Sequence, residues 1–521
     1  MRTVNNSASG WERYKNDVLS GITVSLALVP EAVAFSFVAG VNPLVGMFAA
    51  IIVGLITSAF GGRPGMISAA AGSLAVVMVS LVAEHGAEYL FAAVILMGVL
   101  QVIIGVMKWG RFIRMVPQPV MIGFVNGLAI IIFLAQLKQF KTPDGHWLSG
   151  EPLQIMLALV AASMAIIYIL PKFTKAIPSA LASIILMTLA VIFLDIHTVT
   201  VGDKAVVSAS LETLFFGDPR DPQLNGFHLP MVPFTWETLW IILPYALILT
   251  VVGTTESLLT MTLIDDLTQT RGQANRECIA LGCANVTSGL FSTMGGCALI
   301  GQSLINIRSG GLGRLSGITA ALMLLLIVLA LSDYIAKIPV AALVGLMFVV
   351  VIATFDWSSW NIMRGMSKAD AAVMILVTVL TVVFDLAVAV VAGVIVSALV
   401  FAWQHAQRVM VDAEETEIDG KKVKIYTVYG PLFFASAQNF VEMFDPKNDP
   451  DCVKIDFKYS RVYDYTGVEA IDKLTKRYKE QGKKLVLKHL SPECRQLLHD
   501  ARDLVEVNIS EDPHYHVSLG K

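Results

Sequence analysis

The sequence predicts an α-helical polytopic membrane protein: about fourteen membrane segments in a seven-plus-seven inverted repeat, followed by a small α/β domain. Three observations lead there. Apolar runs near 20 residues long, almost free of charge, recur from about residue 18 to 407, and such runs are long enough to cross a bilayer. Lysine and arginine gather in alternate loops between them. Two glycine-rich interruptions, roughly 230 residues apart, break apolar stretches in the same way: Gly61-Gly-Arg-Pro-Gly-Met-Ile-Ser-Ala-Ala-Ala-Gly-Ser73 and Gly295-Gly-Cys-Ala-Leu-Ile-Gly-Gln-Ser303.

The runs fall at about 18–37, 43–60, 67–82, 88–108, 115–136, 153–171, 177–195, 237–264, 276–294, 298–308, 315–332, 338–355, 370–385 and 387–406. The third and tenth are too short to cross alone, and only Asp385 separates the last two. With Arg2, Arg13 and Lys15 on the cytoplasmic side, the inside loops hold Arg63, Lys108, Arg111, Arg114, Lys172, Lys175, Arg271, Arg276, Arg308, Arg314, Arg364, Lys368 and Arg408. The outside loops then hold Lys138, Lys141, Lys204, Arg220 and Lys337. This asymmetry places both termini in the cytoplasm, in a cytoplasmic (inner) membrane protein, and puts the 196–236 loop outside.

Of the 521 residues, 55% are hydrophobic and 15% charged; a soluble domain carries about 25% charged residues. The last hundred or so residues are richer in Lys, Asp and Glu and contain no spanning run. The expected organisation is an N-terminal tail over 1–17, a membrane domain over 18–406 (repeat one about 18–195, repeat two about 237–406), a linker over 407–420 and an α/β domain over 421–518. The tail lacks the apolar core of a signal peptide. A net charge of −3 gives no basis for a nucleic-acid partner. Cys278, Cys283, Cys297, Cys452 and Cys494 lack metal or disulfide spacing and read as isolated small residues. No nucleophile–base pattern, metal site, phosphate loop or ATP motif appears, so the reading is neither enzyme nor primary pump, with no cofactor.

Two further markers recur at a similar offset. Pro30-Glu31 interrupts segment one and Glu256 interrupts segment eight. Pro117 with Gly123 opens segment five, and Pro339 with Gly345 opens segment twelve. Seven is odd, so a second copy of seven segments enters from the opposite face, as in many secondary transporters.

Broken helices at membrane depth survive only when buried in protein or facing a wet cavity. Each half-helix start presents unpaired N–H groups and the positive end of a helix dipole, and two converging starts make an anion site. Gly72, Ser73, Gly301 and Ser303 let a ligand approach the backbone; Ser73, Gln302 and Ser303 can add side-chain donors. The bland alternative is close helix packing through small residues. Glu256 lies deep in segment eight with Thr260 one turn on; the pair can bind Na⁺, hold a proton, or make a structural hydrogen bond. Glu31 either lines the cavity or satisfies the carbonyl freed by Pro30. Asp265 and Asp266 read as a solvated helix end.

The chain resembles the sulfate permease (SulP) family of anion transporters over nearly its whole length. The resemblance rests on Leu28-Val-Pro-Glu-Ala-Val-Ala-Phe, Asn42-Pro-Leu-Val-Gly-Met-Phe and Gly61-Gly-Arg-Pro-Gly-Met-Ile-Ser in the first half. In the second it rests on Glu256-Ser-Leu-Leu-Thr, Asp265-Asp-Leu-Thr, Asn275-Arg-Glu with Gly282 and Asn285, and Asn306-Ile-Arg-Ser-Gly-Gly. It implies an anion between the starts of segments three and ten, a core domain moving against a gate domain, and a homodimer. In similar cyanobacterial bicarbonate transporters an acidic residue and a Thr at the positions of Glu256 and Thr260 help hold Na⁺; this chain has Glu for their Asp, and Ala71 near a position where they carry Thr. The implied substrate is a small inorganic anion, sulfate or bicarbonate, coupled to Na⁺ or H⁺. A dicarboxylate transporter and an anion channel or sensor are the alternatives.

Residues 423–429, 452–457 and 484–488 read as strands, and Asp464-Tyr-Thr-Gly467 opens a helix. This region resembles the STAS domain, related to anti-sigma factor antagonists, which implies a soluble partner. Thr466 matches the phosphorylatable Ser of that family; its plainer reading is a helix N-cap. The acidic run from Asp412 to Glu417 reads as an exposed connector.

Overall fold

The computed structural model describes residues 10–110, 117–142, 146–173, 178–204, 209–365, 367–383, 386–406, 409–418 and 421–490. Arg2, Arg111, Arg114, Lys175, Asp385, Arg408, Cys494 and the 491–518 end of the α/β domain lie outside them. The chain divides into two compact units, residues 1–394 and 395–521.

Repeat one supplies α1 (Gly10–Ala39), α2 (Pro43–Phe60), α3 (Gly72–His85), α4 (Ala87–Val106), α5 (Gln118–Leu137), α6 (Glu151–Phe173) and α7 (Ser179–Phe193). Repeat two supplies α8 (Trp236–Thr268), α9 (Ala274–Leu290), α10 (Ile300–Arg308), α11 (Arg314–Ala336), α12 (Val340–Thr354), α13 (Lys368–Val383) and α14 (Leu386–Ala406). Each expected segment has its helix. Among the described residues, seven helices (α1, α2, α4, α5, α6, α8 and α11) are long and apolar enough to cross a membrane.

Several helix pairs recur when each helix is exchanged for the one seven places on. α4 packs on α9 as α11 packs on α2; α1 on α11 as α8 on α4; α5 on α13 as α12 on α6; α1 on α3 as α8 on α10. The Pro–Gly markers share this exchange. Pro117 and Pro339 are the N-caps of α5 and α12. A Cβ on Gly123 would lie 2.5 Å from the Met374 carbonyl oxygen of α13, and one on Gly345 would lie 2.9 Å from that of Val160 in α6. α4 also crosses α9 closely, since a Cβ on Gly98 would meet the Gly282 carbonyl oxygen at 2.6 Å.

Within the first unit, two boundaries differ most from the expectation. α1 begins at Gly10, so residues 10–17 are helical turns rather than a tail. Asp17 is buried there and accepts from the amides of Leu312 and Gly313 at 3.0 Å each, capping the approach to α11. Helix α3 begins at Gly72 rather than 67 because the preceding residues are extended. Ser68–Ala69 (β1) pairs antiparallel with Cys297–Ala298 (β2), Ser68 opposite Ala298 and Ala69 opposite Cys297. The two interruptions therefore form one ribbon. Gly65 (φ 79°) and Gly295 (φ 68°) turn the chain into it, in the left-handed region that glycine enters without a Cβ clash.

The second unit holds a four-stranded sheet, ordered β3 (Met410–Ile418), β4 (Lys421–Leu432), β5 (Cys452–Val462) and β6 (Lys484–Lys488). The first pair is antiparallel and the others parallel. Among the described residues, two helices accompany the sheet, α15 (Ala437–Glu442) and α16 (Tyr465–Glu480). Val468, Ile471, Leu474 and Tyr478 of α16 recur at helical spacing and are buried in a core with Phe440, Val453 and Ile455. The expected linker is corrected: residues 410–418 are strand β3. Its acidic side chains are those of an edge strand, where charge blocks further pairing.

Candidate functional site

The ribbon leaves both half-helices open at their starts. The N-caps of α3 and α10 are Ala71 and Leu299, extended residues without side-chain caps. The first amides to find an intrahelical acceptor are those of Ala75, bonded to Ala71, and Ser303, bonded to Leu299. The N–H groups of Gly72, Ser73, Leu74, Ile300, Gly301 and Gln302 therefore have no partner within their helices. Buried side chains satisfy the ribbon itself. Ser303 Oγ accepts from the Ile67 amide at 3.0 Å, and Ser257 Oγ accepts from Ala298 at 3.0 Å. Asn285 brackets Gly296, accepting from its amide at 2.8 Å and donating to its carbonyl at 3.1 Å. Glu277 accepts from Gly62 at 2.7 Å.

Both starts border a cavity of about 480 Å³. Its polar wall comes from α1, α3, α8 and α10 through Glu31, Gly72, Ser73, Thr255, Glu256, Gly301 and Gln302. Its apolar wall comes from α5 and α12 through residues such as Met121, Phe124, Leu128 and Val350. Glu31 reaches from α1 of repeat one to α10 of repeat two, accepting from Gln302 Nε2 at 2.8 Å. Glu256 reaches from α8 of repeat two to α3 of repeat one, accepting from the Ser73 hydroxyl. Its carboxylate also lies 3.2 Å from the Cys297 thiol, which donates to it. Among the described residues, the buried Gln302 Oε1 and Thr255 Oγ1 have no hydrogen-bond partner.

Glu31, Gly72, Ser73, Glu256, Gly301 and Gln302 thus meet at one cavity. Two expected residues do not. Ser303 is fully buried with its hydroxyl spent on Ile67. Thr260 is fully buried and donates to the Glu256 carbonyl at 2.8 Å, the ordinary i−4 bond of a helical threonine, and does not line the cavity. Cys297 is not an isolated small residue, since its thiol faces Glu256. Asp265 is not a solvated helix end. It pairs with buried Arg63 at 3.2 Å and accepts from the Gly272 amide at 2.9 Å, whereas Asp266 is exposed. The N-cap of α16 is Asp464, accepting from Gly467 at 2.9 Å; Thr466 is exposed within the first turn. Sequence reasoning missed Thr255, Ser257 and the bracketing role of Asn285. The available signal was a polar side chain within an apolar helix.

The sequence profile of the sulfate permease family matches residues 14–377, and that of the STAS domain matches residues 414–514. The chain is 45% identical to the putative sulfate transporter YbaR of Bacillus subtilis, over 93% of this chain and 96% of that protein. It is 29% identical to the bicarbonate transporter BicA of Picosynechococcus, over 86% of this chain and 83% of that one. The solved transmembrane domain of a cyanobacterial BicA superposes with a TM-score of 0.63 at 30% identity, covering 73% of this chain and 98% of that domain. SLC26A9 shares the fold, with a TM-score of 0.79 at 17% identity over 97% of this chain and 90% of that one.

Proposed function

The chain belongs to the sulfate permease family, and from that premise we propose that this multi-pass membrane protein carries a small inorganic anion, sulfate or bicarbonate, by secondary active transport coupled through Glu256. One observation carries the reading: the uncapped starts of α3 and α10 converge on a single cavity from opposite repeats. Six amides without intrahelical partners and two dipole ends favour negative charge there without a full cation. The apolar wall of α5 and α12 supports a moving boundary, with α1–α4 and α8–α11 as core and α5–α7 and α12–α14 as gate.

The coupling ion is read as H⁺. A Na⁺ site needs several oxygen ligands, because hard cations prefer oxygen. Glu256 instead meets two hydrogen-bond donors, one of them a thiol, and the Thr260 hydroxyl is turned to the backbone. Both termini in the cytoplasm, a cytoplasmic membrane location and a homodimer belong to the same proposal. The test is uptake of labelled sulfate and of bicarbonate into proteoliposomes, with a pH gradient or a Na⁺ gradient imposed separately. Concentrative uptake driven by the pH gradient supports the reading. Uptake driven only by Na⁺ replaces the proton with a metal ion at Glu256, and non-saturable flux down the anion gradient makes the protein a channel.

A further inference from the structure

The segment joining the repeats has its polarity reversed. Between residues 209 and 236 the polar side chains turn toward the ends of the membrane helices. Asp221 accepts from Asn42 Nδ2 at 2.6 Å and Gln223 accepts from the Asn42 amide at 2.6 Å, both at the start of α2. Asn225 donates to Glu88 at the start of α4 at 2.5 Å, and the Met231 amide donates to the same carboxylate at 2.7 Å. His228 lies between Glu88, at 3.3 Å, and the Ser292 hydroxyl, at 2.9 Å. Asp218 holds Arg220 at 2.7 Å.

Leu214 and Leu224 are buried, but most of the large apolar side chains point the other way. Phe216 is 83% exposed and Phe234 93%, and Phe227, Leu229, Met231 and Trp236 are exposed with them. A loop in water would reverse both sets. Exposed apolar patches on this scale mark an interaction surface. This one runs without a break into α8, a membrane-crossing helix whose first turns expose Trp236 and Trp240. Aromatic rings at helix ends are the side chains that settle at the bilayer–water boundary. The exposed charges, Glu212, Arg220 and Glu237, are few enough to sit among headgroups.

We infer that residues 209–236 form an interfacial anchor whose apolar face is embedded in the lipid boundary at the ends of α2, α4 and α9, rather than a water-exposed loop. The occupant is lipid, because the patch continues the surface that a crossing helix already presents to lipid. Its inward polar bonds fasten that anchor to the bundle.

Photo-crosslinking tests this on the full chain in phospholipid vesicles. Benzoylphenylalanine is placed at Phe216 or at Phe234, both already aromatic and exposed. Leu322, exposed on α11, serves as the lipid-facing control and Tyr463 as the aqueous one, and each variant is first checked for a single gel-filtration peak. Irradiation is expected to add the mass of one phospholipid at 216, 234 and 322 and none at 463. A covalent dimer through 216 or 234 overturns the inference in favour of a second copy of the chain. No adduct at either position, with the 322 control reacting, overturns it in favour of water.

Discussion

Ser73, in the first turn of α3, donates its hydroxyl to the carboxylate of Glu256 in α8, so a residue of one repeat is satisfied by a residue of the other. The second carboxylate obeys the same rule, since Glu31 of repeat one accepts from Gln302 of repeat two at 2.8 Å. Each carboxylate thus stands beside the half-helix start of the opposite repeat, where the dipole end favours negative charge. Any motion separating α1 from α10, or α8 from α3, breaks one of these bonds. The amide of Gln302 suits either charge state of Glu31: its nitrogen donates to a carboxylate, and turned over its oxygen accepts from a carboxylic acid.

Glu256→Gln keeps the size of the side chain and its hydrogen bonds but cannot exchange a proton. Uptake in this variant is expected to become independent of the imposed pH gradient while anion binding persists, as measured by calorimetric titration. Ser73→Ala removes one charge-assisted bond, a loss of about 1.5–3 kcal/mol. It is expected to lower the initial uptake rate by about tenfold or more, with the protein still monodisperse.

Two glycines separate packing from function. Gly98→Ala places a methyl against the backbone of α9, 2.6 Å from the Gly282 oxygen, and backbone yields little. A loss of about 1–3 kcal/mol is expected, read as a lower melting temperature in detergent. Gly301→Ala meets no atom within 4 Å, yet Gly301 lines the cavity. Its melting temperature is expected to be unchanged while its affinity for the larger of the two anions, sulfate, falls more than that for bicarbonate.

Much of this was legible in the chain because periodicity, charge placement and glycine-rich breaks are local signals. Gly61–Ser73 and Gly295–Ser303 named the two half-helices, and Pro117 and Pro339 marked two helix starts. What was not legible is which partner each side chain meets once folded, at separations from 4 residues for Thr260 to 236 for Ser303. Ser303 and Thr260 are equally polar in the sequence whether they face a ligand or a backbone carbonyl, and only the fold assigns their single hydroxyl. Cys297 looked like a small residue until β2 turned its thiol onto Glu256. Strand β3 escaped because an acidic edge strand, exposed on one side, shares its composition with a linker.

The α/β unit has a pH dependence of its own. Asp449 is fully buried and accepts from Lys424 at 2.8 Å, from Tyr426 at 2.8 Å and from Tyr478. The Asp449 carboxylate holds the Lys424 ammonium charged to higher pH than usual, and burial pushes the Tyr426 and Tyr478 phenols up. All three groups are more basic folded than unfolded, so their contribution is complete below about pH 10 and lost as pH rises through the raised values. Hydrogen exchange in β4 and α16 is expected to stay level from neutral pH to that point, after correction for intrinsic rate, and to accelerate above it. Asp449→Asn breaks a buried ion pair, costing about 3 kcal/mol, and is expected to start less protected and show a weaker alkaline decline.

Adjacent aspartates at the end of α8 separate a buried clasp from a solvated helix end. Arg63 follows the glycines of the first interruption. It pairs with Asp265 at 3.2 Å, donates to Thr270 Oγ1 at 2.8 Å and to the Ile264 carbonyl at 3.2 Å, and also donates to Thr268. The guanidinium therefore ties the approach to β1 onto the end of the helix that carries Glu256. Asp265→Ala leaves this arginine charged and nearly enclosed, a loss of about 3 kcal/mol. The variant is expected to melt earlier and, because the ribbon before α3 is loosened, to transport more slowly at temperatures where it remains folded. Asp266→Ala removes an exposed carboxylate and is expected to stay within about 0.5 kcal/mol of the parent. Equal melting temperatures for the two variants would show that the clasp does not hold the ribbon.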